Sequence, residues 1–387
     1  MQPREFLMIP GPTPVPDAVL EAVSRHPIGH RSADFSKVLR ETIDQLKNLG
    51  ATNNDVLLFT ASGTGAMEAA IANTINQGDH VLSLVCGVFS ERWARIAEAF
   101  GARVERLTAE PGEAIDPAAV KRRLDADSEK SVKVVTITHN ETSTGVMNDL
   151  SKIAAAVREH GAISIVDAVT SFGAYPVPID EWGIDVLITG SQKALMLPPG
   201  LAFAFVSKNA WAAYDRCRTP RYYFDFKMYR KSLEADTTPF TPNVSFVVGL
   251  QTALQMLHDA GRDAVFERHL RLKNMVRGGV KAMGLELFVK DEAASPTITA
   301  ILPPKDLTVD AIRKRLKERF RIVVADGQDA LKGKIFRIGH MGYVFERDIL
   351  MTLSSLECVL TELGYPCPPG KATSAAVAVL SGAVTAK

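Results

Sequence analysis

From residue 55 onward, short runs of β-branched and aromatic residues alternate with longer stretches whose apolar positions recur every three or four residues. Runs of the first kind pack as buried strands, and stretches of the second kind as amphipathic helices. The predicted strands are DVLLFT (55–60), HVLSLV (80–85), RVERL (103–107), VKVVTIT (132–138), AISIVD (162–167), DVLITG (185–190) and LAFAFVS (201–207). Helices are predicted between them over GAMEAAIANTI (65–75), ERWARIAEAF (91–100) and DLSKIAAAVREHG (149–161), the last closed by a glycine cap. This alternation specifies βαβ units, hence an α/β fold with a mostly parallel seven-stranded sheet in one large domain over 17–262. A proline-punctuated arm over 1–16 precedes it. At residue 263 the texture changes to a long charged helix (263–284) followed by TITAILPP, VDAIRKRLKERF, RIVVADG and KIFRIGHMG, which predicts a smaller C-terminal α+β domain over 263–370. The final stretch, ATSAAVAVLSGAVTAK (372–387), is small-residue rich without amphipathic order, so residues 371–387 are expected to form a flexible, lightly packed tail.

Composition narrows the function classes. A chain of 387 residues, 46% hydrophobic and 23% charged, has ample material for a core and is not disordered. A net charge of +1 gives no reason to expect nucleic acid or an anionic membrane as partner. Cys86, Cys217, Cys358 and Cys367 are scattered without metal-ligand spacing, which favours reduced thiols, no metal and a cytoplasmic setting. The N-terminal residues lack the apolar core of a signal peptide, and no run has the length of a membrane span.

Candidate chemistry centres on Lys193, presented by a short polar turn between two apolar runs. A buried lysine is costly unless it is paired, neutralised or used covalently. Asp167 ends another apolar run upstream. An amine able to hold an aldehyde and a carboxylate able to keep a pyridine nitrogen protonated are the pair that pyridoxal phosphate requires. Each residue alone also reads as an ordinary surface or turn position. Ser62, Gly63 and Thr64 follow a strand and open a helix, a setting that binds phosphate but is also that of any capped helix. A dinucleotide fingerprint fits worse, because Glu68 occupies the third glycine position. Thr142 lies in the polar loop THNETSTG after another strand, and Phe89 follows a third strand, where its ring could stack on a heterocycle or pack in the core. Arg337 sits within an apolar run, as a carboxylate clamp or a structural ion-pair partner. Nearby His340 reads as a packing residue, since no second ligand accompanies it at metal spacing.

Taken together, PGPTPVP (10–16), ASGTGAMEA (61–69), HNETSTG (139–145), VDAVTSFG (166–173), SQKALMLPPG (191–200) and FRIGHMG (336–342) resemble the class V aminotransferases of pyridoxal-phosphate fold type I. Within these the resemblance is greatest to the alanine–glyoxylate and serine–pyruvate (serine–glyoxylate) enzymes. It spans about residue 6 to about residue 366. By position, it implies that Lys193 is the cofactor-linked lysine and general acid/base, with Asp167 as partner of the pyridinium nitrogen. Ser62, Gly63, Thr64 and Gln192 resemble the phosphate cup, and Thr241 resembles a residue that reaches the phosphate from a second subunit. Phe89 stands where many relatives stack a tryptophan, and Thr142 where they place a hydroxyl near the cofactor's phenolic oxygen. Arg337 resembles the clamp for the substrate's α-carboxylate, while Gly11 and the GHRS segment (29–32) resemble elements folding over the substrate. Phe89 loses an indole N–H, and Phe240 stands near a position where some relatives carry a phosphate-binding tyrosine; both bear on cofactor affinity. The implied activity is ping-pong transamination of a small L-amino acid, alanine or serine, with a small 2-oxo acid, glyoxylate or pyruvate, in a homodimer with the active site at the subunit interface. The alternatives are another pyridoxal-phosphate reaction on the same fold, of lyase or desulfurase type, or a non-catalytic subunit of a redox complex, as in relatives labelled soluble hydrogenase.

Overall fold

A computed structural model describes residues 4–382. In chain order its strands are β1 (Phe6–Met8), β2 (Asp55–Phe59), β3 (His80–Val85), β4 (Arg103–Thr108), β5 (Val132–Thr138), β6 (Asn140–Glu141), β7 (Val146–Met147), β8 (Ile163–Asp167), β9 (Val186–Gly190), β10 (Ala202–Val206), β11 (Ile298–Ile301), β12 (Ile322–Asp326) and β13 (Phe336–Gly339). Seven of them form one sheet in the order β2-β10-β9-β8-β5-β3-β4. The ladders are parallel except at β10, which runs antiparallel to both neighbours. All seven are the strands that the apolar runs predict.

Those runs are continuous rather than alternating because both sheet faces are covered. Along β10, Phe203 and Phe205 enter one buried cluster while Ala202, Ala204 and Val206 enter another on the opposite face. Helices supply the covering. The helix Gly63–Ala72 starts two residues before the predicted one, so Gly63 and Thr64 lie in its first turn, after Ser62. The helix Leu150–His160 is capped by the Asp149 side chain and ends at Gly161 in the left-handed region, where glycine meets no Cβ penalty.

A second sheet, β1-β12-β13-β11, has its own apolar cluster. β1 lies parallel to β12, so the N-terminal arm begins as an edge strand of this smaller sheet, with Met8 buried beneath it. The arm therefore reaches the larger domain from a fixed anchor.

The tail expected over 371–387 is instead helical over Lys371–Leu380, while residues 383–387 lie outside the described ones. Ala372 and Ala376 are buried against the helix Arg262–Ala282. Close approach is possible because Gly279 has no side chain: a Cβ there would stand 2.6 Å from Leu353 Cδ1 and 3.2 Å from the Ala372 carbonyl oxygen. Small residues meeting small residues leave no stripe of large apolar positions, which is why periodicity did not reveal the helix. Gly279→Val should therefore destabilise the fold by about 1–3 kcal/mol through overpacking. Thermal unfolding of the two proteins measures this, and an unchanged midpoint would contradict the packing described.

Candidate active site

Every parallel strand of the large sheet ends on the same side, and the turns that follow converge there, as ligand sites of open α/β sheets do. The turn after β2 brings Ser62, Gly63 and Thr64; after β3, Phe89 and Arg92; after β5, Asn140 and Thr142; after β8, Val169 and Thr170; after β9, Gln192 and Lys193. With Asp167 and Met67 they line one cavity of about 110 Å³. The sequence-derived candidates Ser62, Gly63, Thr64, Phe89, Thr142, Asp167, Gln192 and Lys193 all face it.

Lys193 Nζ donates to the Pro10 carbonyl oxygen at 2.7 Å. The arm is tied down beside it: Thr13 N–H donates to the Gln192 carbonyl oxygen at 3.2 Å and Thr13 Oγ1 to that of Lys193 at 2.9 Å. Gly11, at φ +133°, passes so close that a Cβ would collide with Lys193 Nζ and Cε. Burial pulls the Lys193 ammonium down to about 8, with the Asp167 charge opposing and the Arg337 charge assisting. The lysine is thus closer to its nucleophilic free-amine form than a surface lysine.

Asp167 closes β8, and its carboxylate accepts from the Val169 N–H at 2.8 Å. Burial pushes it up to about 7 against that hydrogen bond; the Glu141 charge raises it further, while Arg92 and Lys193 lower it. Among the described residues it has no ion-pair partner. A carboxyl so placed gains by meeting a cationic ring N–H.

The donor set fits pyridoxal phosphate on several counts. The Ser62 side chain makes no capping bond to its helix, leaving its hydroxyl and the first-turn N–H groups for an anion. Gln192 Oε1 and Asn140 Oδ1 are buried and unpartnered, which is costly unless a ligand or a rotated amide satisfies them. The Arg92 guanidinium lies 4.8 Å from the Phe89 ring centre and donates to Thr64 Oγ1 at 2.9 Å, joining the candidate stacking face to the candidate phosphate cup.

Other candidates lie around the cavity rather than in it. Arg337, on β13, is buried; Nε and Nη2 donate to the Asp326 carbonyl oxygen at 2.8 and 2.5 Å. Its Nη1 reaches the Thr142 carbonyl oxygen at 2.6 Å and Gln328 Oε1 at 3.2 Å, so no carboxylate occupies it. Thr241 is exposed in the loop before the helix Val244–Ala260 and does not line the cavity. Phe240 stacks on Tyr223 with ring centres 4.9 Å apart. The GHRS segment sits beside the same loop, Arg31 donating to Thr237 Oγ1 at 2.6 Å and the Thr238 carbonyl oxygen at 2.5 Å. His340 is buried with Nε2 2.9 Å from Thr299 Oγ1, a packing role.

Sequence reasoning missed Arg92, Asn140, Glu141 and Thr170. A signal existed for two: Arg92 stands one helical turn after Phe89, and Glu141 is an acidic residue inside an otherwise neutral polar loop.

Asp167 carries a linkage consequence. Its folded value is raised, so its contribution to the stability of cofactor-free protein is fully present below the ordinary value of 3.8 and lost as pH rises through about 7. Cofactor-free Asp167→Asn should gain stability over wild type as pH rises from 4 to 7, by on the order of a few kcal/mol. Denaturant titrations at the two pH values test this; a pH-independent difference would contradict the burial of a chargeable group. Gly11→Ala should weaken cofactor retention at least about tenfold by displacing Lys193 or the arm, and equal retention on gel filtration would contradict the close contact.

Comparison with known proteins agrees with this geometry. The family model for class V aminotransferases matches residues 6–346. The chain is 51% identical over 366 residues to the "soluble hydrogenase 42 kDa subunit" of Anabaena cylindrica, covering 94% of this chain and 95% of that one. It is 36% identical to a serine–glyoxylate aminotransferase of Methylorubrum extorquens, covering 97% and 96%. Among solved structures, pyridoxamine–pyruvate aminotransferase from Mesorhizobium loti superposes with a TM-score of 0.94 at 30% identity, covering 99% of this chain and 98% of that one. A lysine and an aspartate facing one cavity at the carboxyl edge of this sheet, within a match that runs through both sheets, place the chain in the class V aminotransferase family.

Proposed function

We propose that this protein transaminates a small L-amino acid, alanine or serine, with glyoxylate or pyruvate. Membership of the family implies pyridoxal phosphate as cofactor, and the residues facing the cavity suit it. The observation that carries the reading is the half-buried Lys193 and the buried Asp167, each shifted toward its neutral form and neither paired with the other. When bound, pyridoxal phosphate supplies an aldehyde for amines and an electron-withdrawing ring.

The chain supplies the rest. Ser62, Gly63, Thr64 and Gln192 would hold the phosphate at a helix N-terminus. In a homodimer, Thr241 of the second subunit would complete that cup. Asp167 would keep the ring nitrogen protonated, so that the site could accept charge developing at the substrate's α-carbon. Phe89 and Val169 would confine the ring. Arg337 orients the substrate: moving its longest contact, to Gln328 at 3.2 Å, frees an Nη1 hydrogen beside the remaining Nη2 hydrogen, a fork matched to one carboxylate. Lys193 would carry the proton to and from the substrate's α-carbon, a task suited to an amine near 8. The arm through Pro10 and Gly11 limits the space above the lysine to small substrates. Since one site serves both acids in turn, the kinetics are ping-pong.

Two other readings are weaker. A desulfurase-type reaction needs a nucleophilic cysteine at the cavity, yet none of the four lines it, and burial pushes the Cys86 thiol, at the end of β3, up to about 12. A non-catalytic role in a redox complex rests on the name of the Anabaena cylindrica relative alone. Affinity capture from cell extract that yields only self-association would count against it.

Lys193→Ala should fold normally and lose turnover by about three or more orders of magnitude; near-wild-type transamination would remove the assignment. Arg337→Ala should act chiefly through the apparent affinity for amino acids, costing about 2–4 kcal/mol, and an unchanged KM for every donor would reject it as the clamp. Recording the visible spectrum after L-alanine or L-serine without oxo acid, then after glyoxylate, tests the substrate pair: cycling between two bands supports it, and an inert spectrum contradicts it.

A further inference from the structure

Glu141 is fully buried on β6, and the mechanism above gives it no task. Its carboxylate collects five hydrogen bonds. Oε1 accepts from the Phe89 N–H at 3.3 Å, the Ser143 N–H at 3.2 Å and Ser143 Oγ at 2.6 Å. Oε2 accepts from the Ser90 N–H and Ser90 Oγ, both at 2.9 Å. Its three backbone partners are N–H donors and its two hydroxyl partners can donate, the pattern an ionised carboxylate takes up, and two of the N–H groups lie in the first turn of the helix Val88–Ala99, where a negative charge is favoured. The approach is tight: a Cβ on Gly87 would stand 2.5 Å from Glu141 Cγ and from Ser143 Oγ.

The same residue sits where the two domains meet the site. Next to it, the Thr142 carbonyl oxygen accepts from Arg337 at 2.6 Å, and Asn140 Nδ2 donates to Thr170 Oγ1 and Thr297 Oγ1, each at 2.8 Å. The charged or titratable groups whose fields it feels are the Cys86 thiol at the end of β3, Asp167 at the end of β8 and Arg337 on β13. A buried charge with no ion-pair partner among the described residues is expensive for folding alone, since a neutral cap would serve a helix end.

We propose that Glu141 is a positioning residue for the cofactor: its carboxylate fixes Phe89 against the cavity, holds the loop that seats Arg337, and supplies fixed negative charge toward the end of the cavity at Asp167. This rests on pyridoxal phosphate occupying the cavity. Gln at this position would keep the shape but turn an NH₂ group toward donors and remove the charge.

The test uses the full-length holoenzyme and three readouts: pyridoxal phosphate affinity by absorbance titration of resolved protein, the pH midpoint of the bound cofactor's visible band, and thermal unfolding without cofactor. Glu141→Gln should weaken affinity at least tenfold and move the midpoint to lower pH, because the protonated form of the bound cofactor loses a stabilising negative charge at the Asp167 end of the cavity. Ser143→Ala, which removes one donor and keeps the charge, should weaken affinity less and leave the midpoint in place. If Glu141→Gln lowers only the unfolding temperature, leaving affinity and midpoint as in wild type, Glu141 is a helix cap and the proposal fails. If Glu141→Gln does not fold, a Ser143→Ala affinity equal to wild type overturns the proposal and a reduced one upholds it. Wild type that binds no pyridoxal phosphate would overturn the cofactor reading itself, which is a different result.

Discussion

Two groups of opposite charge, the half-buried Lys193 and the buried Asp167, face one cavity without touching, and the rest of the site follows from that separation. Were they paired, each would satisfy the other and the cavity would be inert. Instead the lysine leans on a backbone carbonyl of the N-terminal arm and the aspartate on one backbone N–H. Both are pulled toward neutrality by desolvation. Such a pair is unfavourable for an empty protein, and it becomes favourable when something between them offers an electrophilic carbon at one end and a cationic nitrogen at the other.

The fold makes the separation possible by bringing the carboxyl ends of its parallel strands to one edge. β10 runs antiparallel beside β9, and the loop 191–201 that joins them carries the lysine. The four-stranded sheet then contributes at a distance. It anchors the arm through β1 and carries Arg337 on β13, and the loop 139–145 hydrogen-bonds to Arg337 and Thr297. Movement of that loop would therefore be felt at the candidate stacking ring and the candidate clamp together.

Much of this was legible in the sequence because strands buried on both faces leave unmistakable apolar runs, and because turns after such strands are where chemistry collects. Lys193, Asp167 and the Ser62 turn stand out for that reason. The helix Lys371–Leu380 was not legible, since its packing depends on the absence of a side chain at Gly279, nearly a hundred residues upstream. Nor was Glu141: one acidic residue in a polar loop resembles any turn former until five donors are seen to converge on it. The pairing of β1 with β12 joins segments more than three hundred residues apart, and three residues carry too little pattern to announce it. Thr241 and the GHRS segment lie outside the cavity.

The central claim is that Lys193 is the residue through which the cofactor is held. Borohydride, which makes a lysine–cofactor link permanent, followed by peptide mapping of protein loaded with pyridoxal phosphate, tests it most directly. The account requires a single labelled peptide containing Lys193, with no label in Lys193→Ala. A label on another lysine, or an unlabelled protein, would contradict it.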